Sequence, residues 1–221
     1  MRQHKDRRAM RQPASGRELE RALRNAAGRI GGEPPTIERA ARAAGLLDVA
    51  YATIQTPLGE LLLASTPAGL ACVAYLEEVT GRDEDAVLRR LAGRLSPRIM
   101  RAPRLLDRPR RELDEYLGGR RRSFELELDL RGLTAFARRV LHAAAGIPYG
   151  QTATYAQVAQ LAGSPRGARA AGNALGANPL PIVLPCHRVV HADGGLGGYT
   201  GGLERKRMLL AIERGQHPPA T

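Results

Sequence analysis

Two turns of the same design, Thr56-Pro57-Leu58-Gly59 and Thr66-Pro67-Ala68-Gly69, constrain this chain more than any other feature. Each puts proline at the second position and glycine at the fourth, as a type I turn prefers. The flanking stretches Val49–Gln55, Glu60–Ser65 and Leu70–Leu76 have a period of two. Three strands joined by two tight turns make an antiparallel meander.

The period then changes. Asp83 caps a helix that carries Val87, Leu88, Leu91 and Leu95 on one side, and a second helix around Leu105–Leu117 ends at Gly118-Gly119. Arg120, Arg121 and Arg122 form a basic, exposed connector to an extended segment in which Phe124, Leu126, Leu128 and Leu130 alternate with polar residues. Beyond Gly132 the spacing is helical. Thr134 caps a helix bearing Phe136, Val140, Leu141 and Ala144 that stops at Ile147-Pro148-Tyr149-Gly150. Thr154 with Gln157 is a capping box opening a helix through Leu161, and Ser164-Pro165 starts the next, running to about Leu175. Two short helices joined at Gly163-Ser164 read as a helix-turn-helix, a shape also found in hairpins that bind nothing. Upstream, Ser15 with Glu18 opens a helix carrying Leu19, Ala22, Leu23, Ala26 and Ile30, and a shorter helix from Pro34-Pro35 closes at Gly45.

The expected fold class is α/β plus α: a small N-terminal domain with an antiparallel sheet and helices, then a helical C-terminal domain. The expected divisions are a basic arm and helical extension over 1–48, the N-terminal domain over 49–131, the C-terminal domain over 132–216 and a tail over 217–221.

Composition narrows the partners. Of 221 residues, 34 are Lys or Arg and 22 Asp or Glu, giving a formal net charge of +12. Such an excess favours a polyanion, most often nucleic acid. Aromatics at 4% with no tryptophan argue against single-strand binding on stacked rings. No apolar run approaches the roughly 20 residues of a membrane span, and the Arg-rich first thirty residues lack the apolar stretch of a secretory signal. Cys72 and Cys186 cannot build a disulfide framework and suit a reducing compartment, so a cytoplasmic location is expected.

The stretch Asn178-Pro179-Leu180-Pro181-Ile182-Val183-Leu184-Pro185-Cys186-His187-Arg188-Val189 carries the chemistry. Its prolines fix the backbone and make Cys186 a poor α-helix residue. An isolated thiol with pKa near 8.5 is mostly protonated at neutral pH, whereas an adjacent base or cation favours thiolate. Against this stands the ordinary role of cysteine as a small buried hydrophobe, which is the expected role of Cys72 in its strand.

Pro185-Cys186-His187-Arg188-Val189, the preceding Asn178-Pro179 and the later Gly197-Gly198-Tyr199-Thr200-Gly201-Gly202-Leu203 resemble the O6-alkylguanine–DNA alkyltransferase family. The likeness is strong over Leu133–Gly215 and looser over Val49–Leu130. It implies direct reversal of DNA damage, in which a flipped-out guanine gives its O6 alkyl group irreversibly to a cysteine, without cofactor or metal. By that resemblance Cys186 is the acceptor, His187 takes the thiol proton through a water, and Glu213 orients His187. Tyr155 hydrogen-bonds the purine and helps the departing guanine gain a proton. Arg169 fills the gap left by the base, and Ala168 and Gly172 belong to a slim recognition helix in the minor groove. Asn178 is a hinge, and Pro181, Val189, Tyr199 and Thr200 line the substrate pocket.

The implied partner is double-stranded DNA containing O6-alkylguanine, bound by a monomer with possible cooperative self-association along DNA. The rival readings are a helix-turn-helix protein that only binds DNA with Cys186 inert, a lesion binder without transfer, and a thiol redox or metal enzyme.

Overall fold

The computed structural model of the chain describes residues 37–77 and 83–216. The helix expected from Ser15 and the tail from residue 217 lie outside the described residues. Two compact units divide the chain, Met1–Gly45 and Leu46–Thr221. In the first, α1 (Ile37–Ala43) ends on Gly45 in the left-handed region at φ 68°. All further elements belong to the second.

The meander is present as β1 (Val49–Thr56), β2 (Gly59–Thr66) and β3 (Gly69–Tyr75), paired antiparallel through Ile54↔Leu61 and Leu62↔Ala74. A short β4 (Ile99–Arg101) joins β1 in parallel, giving the order β3-β2-β1-β4. Both faces are covered. Leu61 and Leu63 of β2 enter the main core, while Leu62 and Ala64 enter a smaller cluster with Val87 and Leu91. Those last two belong to α2 (Glu84–Arg94), whose first turn is capped by Asp83 accepting from the Ala86 N–H at 2.7 Å. Cys72 lies half-buried beside the smaller cluster, at the edge of the core rather than inside it.

The helix expected around Leu105–Leu117 is two pieces, a 3-10 turn over Pro103–Leu106 and α3 (Asp107–Leu117). Pro109 falls in the first turn of α3, where the missing N–H leaves no intrahelical bond unmade. The extended segment after Ser123 runs beside β3, bridging Leu128 to Leu70. Leu70 N–H donates to the Glu127 carbonyl and Asp129 N–H to the Leu70 carbonyl, each at 2.8 Å. Buried Asp129 fastens it further, accepting from Thr66 Oγ1 at 2.6 Å and from Arg131.

This close approach depends on Gly69. Its φ is 132°, and a Cβ there would stand 2.2 Å from the Glu127 carbonyl oxygen. Gly69→Ala is expected to destabilise the fold by about 2–3 kcal/mol through strain and displaced backbone, lowering the urea midpoint. An unfolding free energy within a few tenths of a kcal/mol of the parent's would show that the segment yields freely.

The rest is helical: α4 (Ala135–Ala145), capped by Thr134, then α5 (Tyr155–Leu161), with the Thr154–Gln157 capping box in place, and α6 (Ala168–Gly176). The second helix of the pair starts later than its sequence implies. Ser164–Gly167 form a tight turn closed by Gly167 N–H to the Ser164 carbonyl at 2.8 Å, so Gly167, not Ser164-Pro165, precedes the first helical residue. A two-strand ladder, β5 (Ala153–Thr154) with β6 (Val189–Val190), ties the start of α5 to the residues just past Cys186. The last helix is α7 (Leu203–Glu213).

Candidate active site

After α6 the chain turns through Asn178–Pro185 and enters one 3-10 turn, Cys186–Arg188, rather than an α-helix. The approach is tightly fixed. Ile182, a β-branched residue, sits fully buried at φ 74°, a left-handed conformation such residues rarely adopt. Buried Asn178 holds both ends of the turn. Its Oδ1 accepts from Leu180 N–H at 3.0 Å, and its Nδ2 donates to the Leu184 carbonyl at 2.8 Å and stands 3.2 Å from Cys186 Sγ.

Cys186 opens onto a cleft of about 680 Å³. Ala168, Arg169 and Gly172 of α6 form one wall, Tyr155 and His191 another, and Tyr199 and Thr200 a third. Arg169 is exposed and Tyr155 half-buried. Two pocket residues expected from the sequence lie elsewhere. Pro181 lines a neighbouring cavity of about 340 Å³ with Asn178 and Thr200. Val189 is fully buried, and its carbonyl is occupied by Lys206 Nζ at 2.6 Å. A roomier groove of about 1280 Å³, between α4 and the segment at Leu128 and Leu130, does not include the cysteine.

The thiol is not primed as its neighbours in sequence suggest. Burial pushes Cys186 up to about 11, because a thiolate there loses its hydration, although Asn178 and Lys206 pull the other way. At rest the group is a thiol. His187 does not offset this with charge: full burial lowers its pKa, so the imidazole is neutral at pH 7 despite its carboxylate neighbour.

The carboxylate is Glu213. His187 Nε2 stands 2.5 Å from its Oε1, Arg188 Nε reaches both oxygens at 3.0 Å, and Gly150 N–H donates to Oε2 at 2.8 Å. Burial by itself would raise the Glu213 pKa, but its donors hold it down at about 2. Arg188 carries the compensating positive charge, which leaves His187 free to stay neutral. With Glu213 ionised, Nε2 must carry the ring proton and Nδ1 presents a lone pair. That Nδ1 is buried and has no hydrogen-bond partner among the described residues.

Several participants were not visible in the sequence. Tyr116, from α3, donates to Glu213 Oε1. Buried Lys206 donates to the carbonyls of Val189, Leu196 and Gly198 and so ties down the loop over the cleft. Tyr75 of β3 hydrogen-bonds Tyr199 hydroxyl to hydroxyl at 2.9 Å. The imidazole of His191 packs at 5.2 Å on the Tyr155 ring. Of the expected residues, Cys186, Tyr155, Arg169, Ala168, Gly172, Tyr199 and Thr200 meet in one cleft, with Asn178, His187 and Glu213 behind it.

Comparison with known proteins finds matches over most of residues 49–215. Residues 49–130 match the 6-O-methylguanine DNA methyltransferase ribonuclease-like domain, and residues 135–215 match the DNA binding domain of the same family. The chain is 40% identical over 178 residues to a methylated-DNA–protein-cysteine methyltransferase of Mycolicibacterium paratuberculosis, spanning 78% of this chain and 96% of the relative. It is 36% identical over 165 residues to the constitutive methylated-DNA–protein-cysteine methyltransferase of Bacillus subtilis, spanning 74% and 94%. The crystal structure of Mycobacterium tuberculosis OGT in complex with DNA is similar at a TM-score of 0.65 and 39% identity, spanning 77% of this chain and 96% of that one. An O6-methylguanine-DNA methyltransferase from Pyrococcus kodakaraensis has a TM-score of 0.55 at 26% identity, spanning 75% and 98%. With both halves matched in order and the Cys-His-Arg turn set at the head of a cleft, the chain belongs to the 6-O-methylguanine DNA methyltransferase family.

Proposed function

We propose that this protein repairs O6-alkylguanine in duplex DNA by moving the alkyl group onto its own Cys186, once per molecule and without a cofactor. The observation that carries this reading is a cleft-lining thiol backed by a neutral imidazole whose Nδ1 lone pair is unused and whose Nε2–H is held by a charge-balanced carboxylate. In the step itself a sulfur–carbon bond forms as the O6–carbon bond breaks. The thiol proton passes through a water to His187 Nδ1 and on to solvent, and the departing guanine takes a proton from the Tyr155 hydroxyl, which solvent restores. Burial holds the resting Cys186 thiol up at about 11, so it stays protonated until a proton acceptor is engaged. Once ionised against His187 it is a strong soft nucleophile for an unhindered alkyl carbon. The thioether product has no leaving group that regenerates the thiol, so turnover stops at one.

The same reading gives α6 the DNA contact. Ala168 and Gly172 leave a slim face for the minor groove, with α5 and α6 acting as a helix-turn-helix. Exposed Arg169 at the cleft wall replaces the extruded base in the stack, where a flat cation meets bases and phosphates together. Asn178 acts as the hinge joining α6 to the cysteine turn. The body works as two domains, 49–131 and 132–216, in a cytoplasmic monomer.

The test is transfer of labelled methyl from O6-methylguanine duplex to the protein. Arg169→Ala should slow that transfer about 10- to 100-fold in duplex, since unstacking takes a few kcal/mol, while reaction with the free O6-methylguanine base changes less than twofold. Equal slowing on both substrates would remove Arg169 from base extrusion.

A further inference from the structure

The relay behind Cys186 is completed from outside the half of the chain that contains it. Tyr116 lies on α3, within the residues matched by the ribonuclease-like domain, yet its side chain is fully buried against the relay. Its hydroxyl donates to Glu213 Oε1, the same oxygen that faces His187 Nε2, and stands 3.4 Å from that nitrogen and 3.4 Å from Arg188 Nη2. The ring is clamped, 4.9 Å from Phe124 and edge-on to Tyr149 at 5.7 Å, so the phenol cannot turn away. Burial raises its pKa, which keeps the hydroxyl a donor throughout the working range.

We propose that Tyr116 is a positioning residue of the alkyl transfer: its phenol shares Glu213 Oε1 with His187, weakens the carboxylate's pull on the imidazole proton, and thereby keeps His187 neutral and able to accept the thiol proton at lower pH. This rests on the repair reading given above. A carboxylate oxygen that already accepts one strong hydrogen bond is a poorer partner for a second, so the phenol lowers the basicity that Glu213 confers on His187. Other charged or titratable groups around the ring act in fixed directions. Arg188, in the same turn, and Lys206, from α7, both disfavour an added proton, and Cys186 precedes it in the chain. Tyr199 meets the imidazole edge-on at 6.4 Å. Arg188 loses one long contact, Nη2 to the phenol oxygen at 3.4 Å, when that oxygen alone is removed, and keeps its bonds to Glu213 and the Ile147 carbonyl.

The experiment is the pH dependence of single-turnover methyl transfer from saturating O6-methylguanine duplex to the full-length protein. Tyr116→Phe keeps the ring and its packing. Its acid limb should move to higher pH by about half to one unit, a roughly three- to tenfold rate loss on the limb, while the alkaline plateau stays within twofold. Site-specific replacement of Tyr116 by 3-fluorotyrosine, a stronger donor in a folded background, should move the limb the opposite way. Tyr149→Phe, whose hydroxyl faces the Ile212 carbonyl instead, should leave the profile in place. A uniformly slower Tyr116→Phe profile with an unmoved limb, or a fluorotyrosine profile superimposed on the parent, would overturn the positioning role. If the parent itself gains no methyl group, the repair reading fails, and this assignment with it.

Discussion

Cys186→Ala is expected to abolish methyl transfer outright while leaving duplex binding within about twofold. In the proposed reaction the alkyl group ends on this sulfur, so without it the group has no acceptor, whatever the other residues do. Cys72 offers no substitute. It is half-buried against the smaller cluster, and burial holds its thiol up at about 11. The fold should survive. Removing one buried sulfur amounts to a small large-to-small substitution of about 1 kcal/mol, and Asn178 Nδ2 keeps its bond to the Leu184 carbonyl. Binding is read by fluorescence anisotropy on lesion-bearing duplex. A variant that loses binding along with transfer would make the thiol a structural element instead.

Glu213→Gln should be the most destabilising single change at the site. Arg188 is buried, with its side chain 7% exposed, and Glu213 is the carboxylate that balances it. Stranding a buried guanidinium takes about 3–5 kcal/mol, and the amide NH₂ now faces donors from His187, Arg188 and Tyr116. Transfer should also slow by about 10²-fold or more, the lower end of what a positioned proton acceptor supplies. The pH dependence follows from the depressed carboxyl. Glu213 sits at about 2 in the fold and near 4.3 in an unfolded chain, so its stabilisation, about 3 kcal/mol by linkage, is fully present above the unfolded value. It is lost as pH falls from about 4.3 toward about 2. Asp129, held at about 2 by Arg131, titrates in the same window in both proteins and cancels in the comparison. Urea unfolding across pH 2–7 should therefore show the parent losing its advantage over Glu213→Gln below about pH 4.3. A gap that persists unchanged to pH 2 would mean that Glu213 does not stay ionised.

Much of this architecture can be read from local chemistry. The paired Thr-Pro-X-Gly turns, the Asp83 and Thr134 caps and the Thr154–Gln157 capping box each act within a few residues, and each is present as expected. Cys186 and His187 were legible for a similar reason, because they stand in one rigid, proline-bracketed stretch. Long-range partners were not. Tyr116 meets Glu213 across 97 positions, and no spacing rule connects a tyrosine of α3 to the end of α7. Arg188 was hidden by abundance, since one buried guanidinium cannot be told from many solvated ones in an Arg-rich chain. The protonation of the thiol also escaped. Sequence neighbours indicate which charges stand nearby, whereas burial decides whether water is present to support them. The Val189 carbonyl accepts from a lysine 17 residues downstream, a contact that no local spacing announces.

One experiment bears on the whole scheme at its centre. The protein is mixed with an equimolar duplex holding a single O6-methylguanine, with no cofactor added, and its peptides are weighed. The peptide containing Cys186 should gain one methyl group in an amount equal to the lesion consumed, and a second dose of duplex should remain unrepaired. Lesion loss without added mass on that peptide, methyl appearing on Cys72, or repeated turnover from one protein molecule would contradict it.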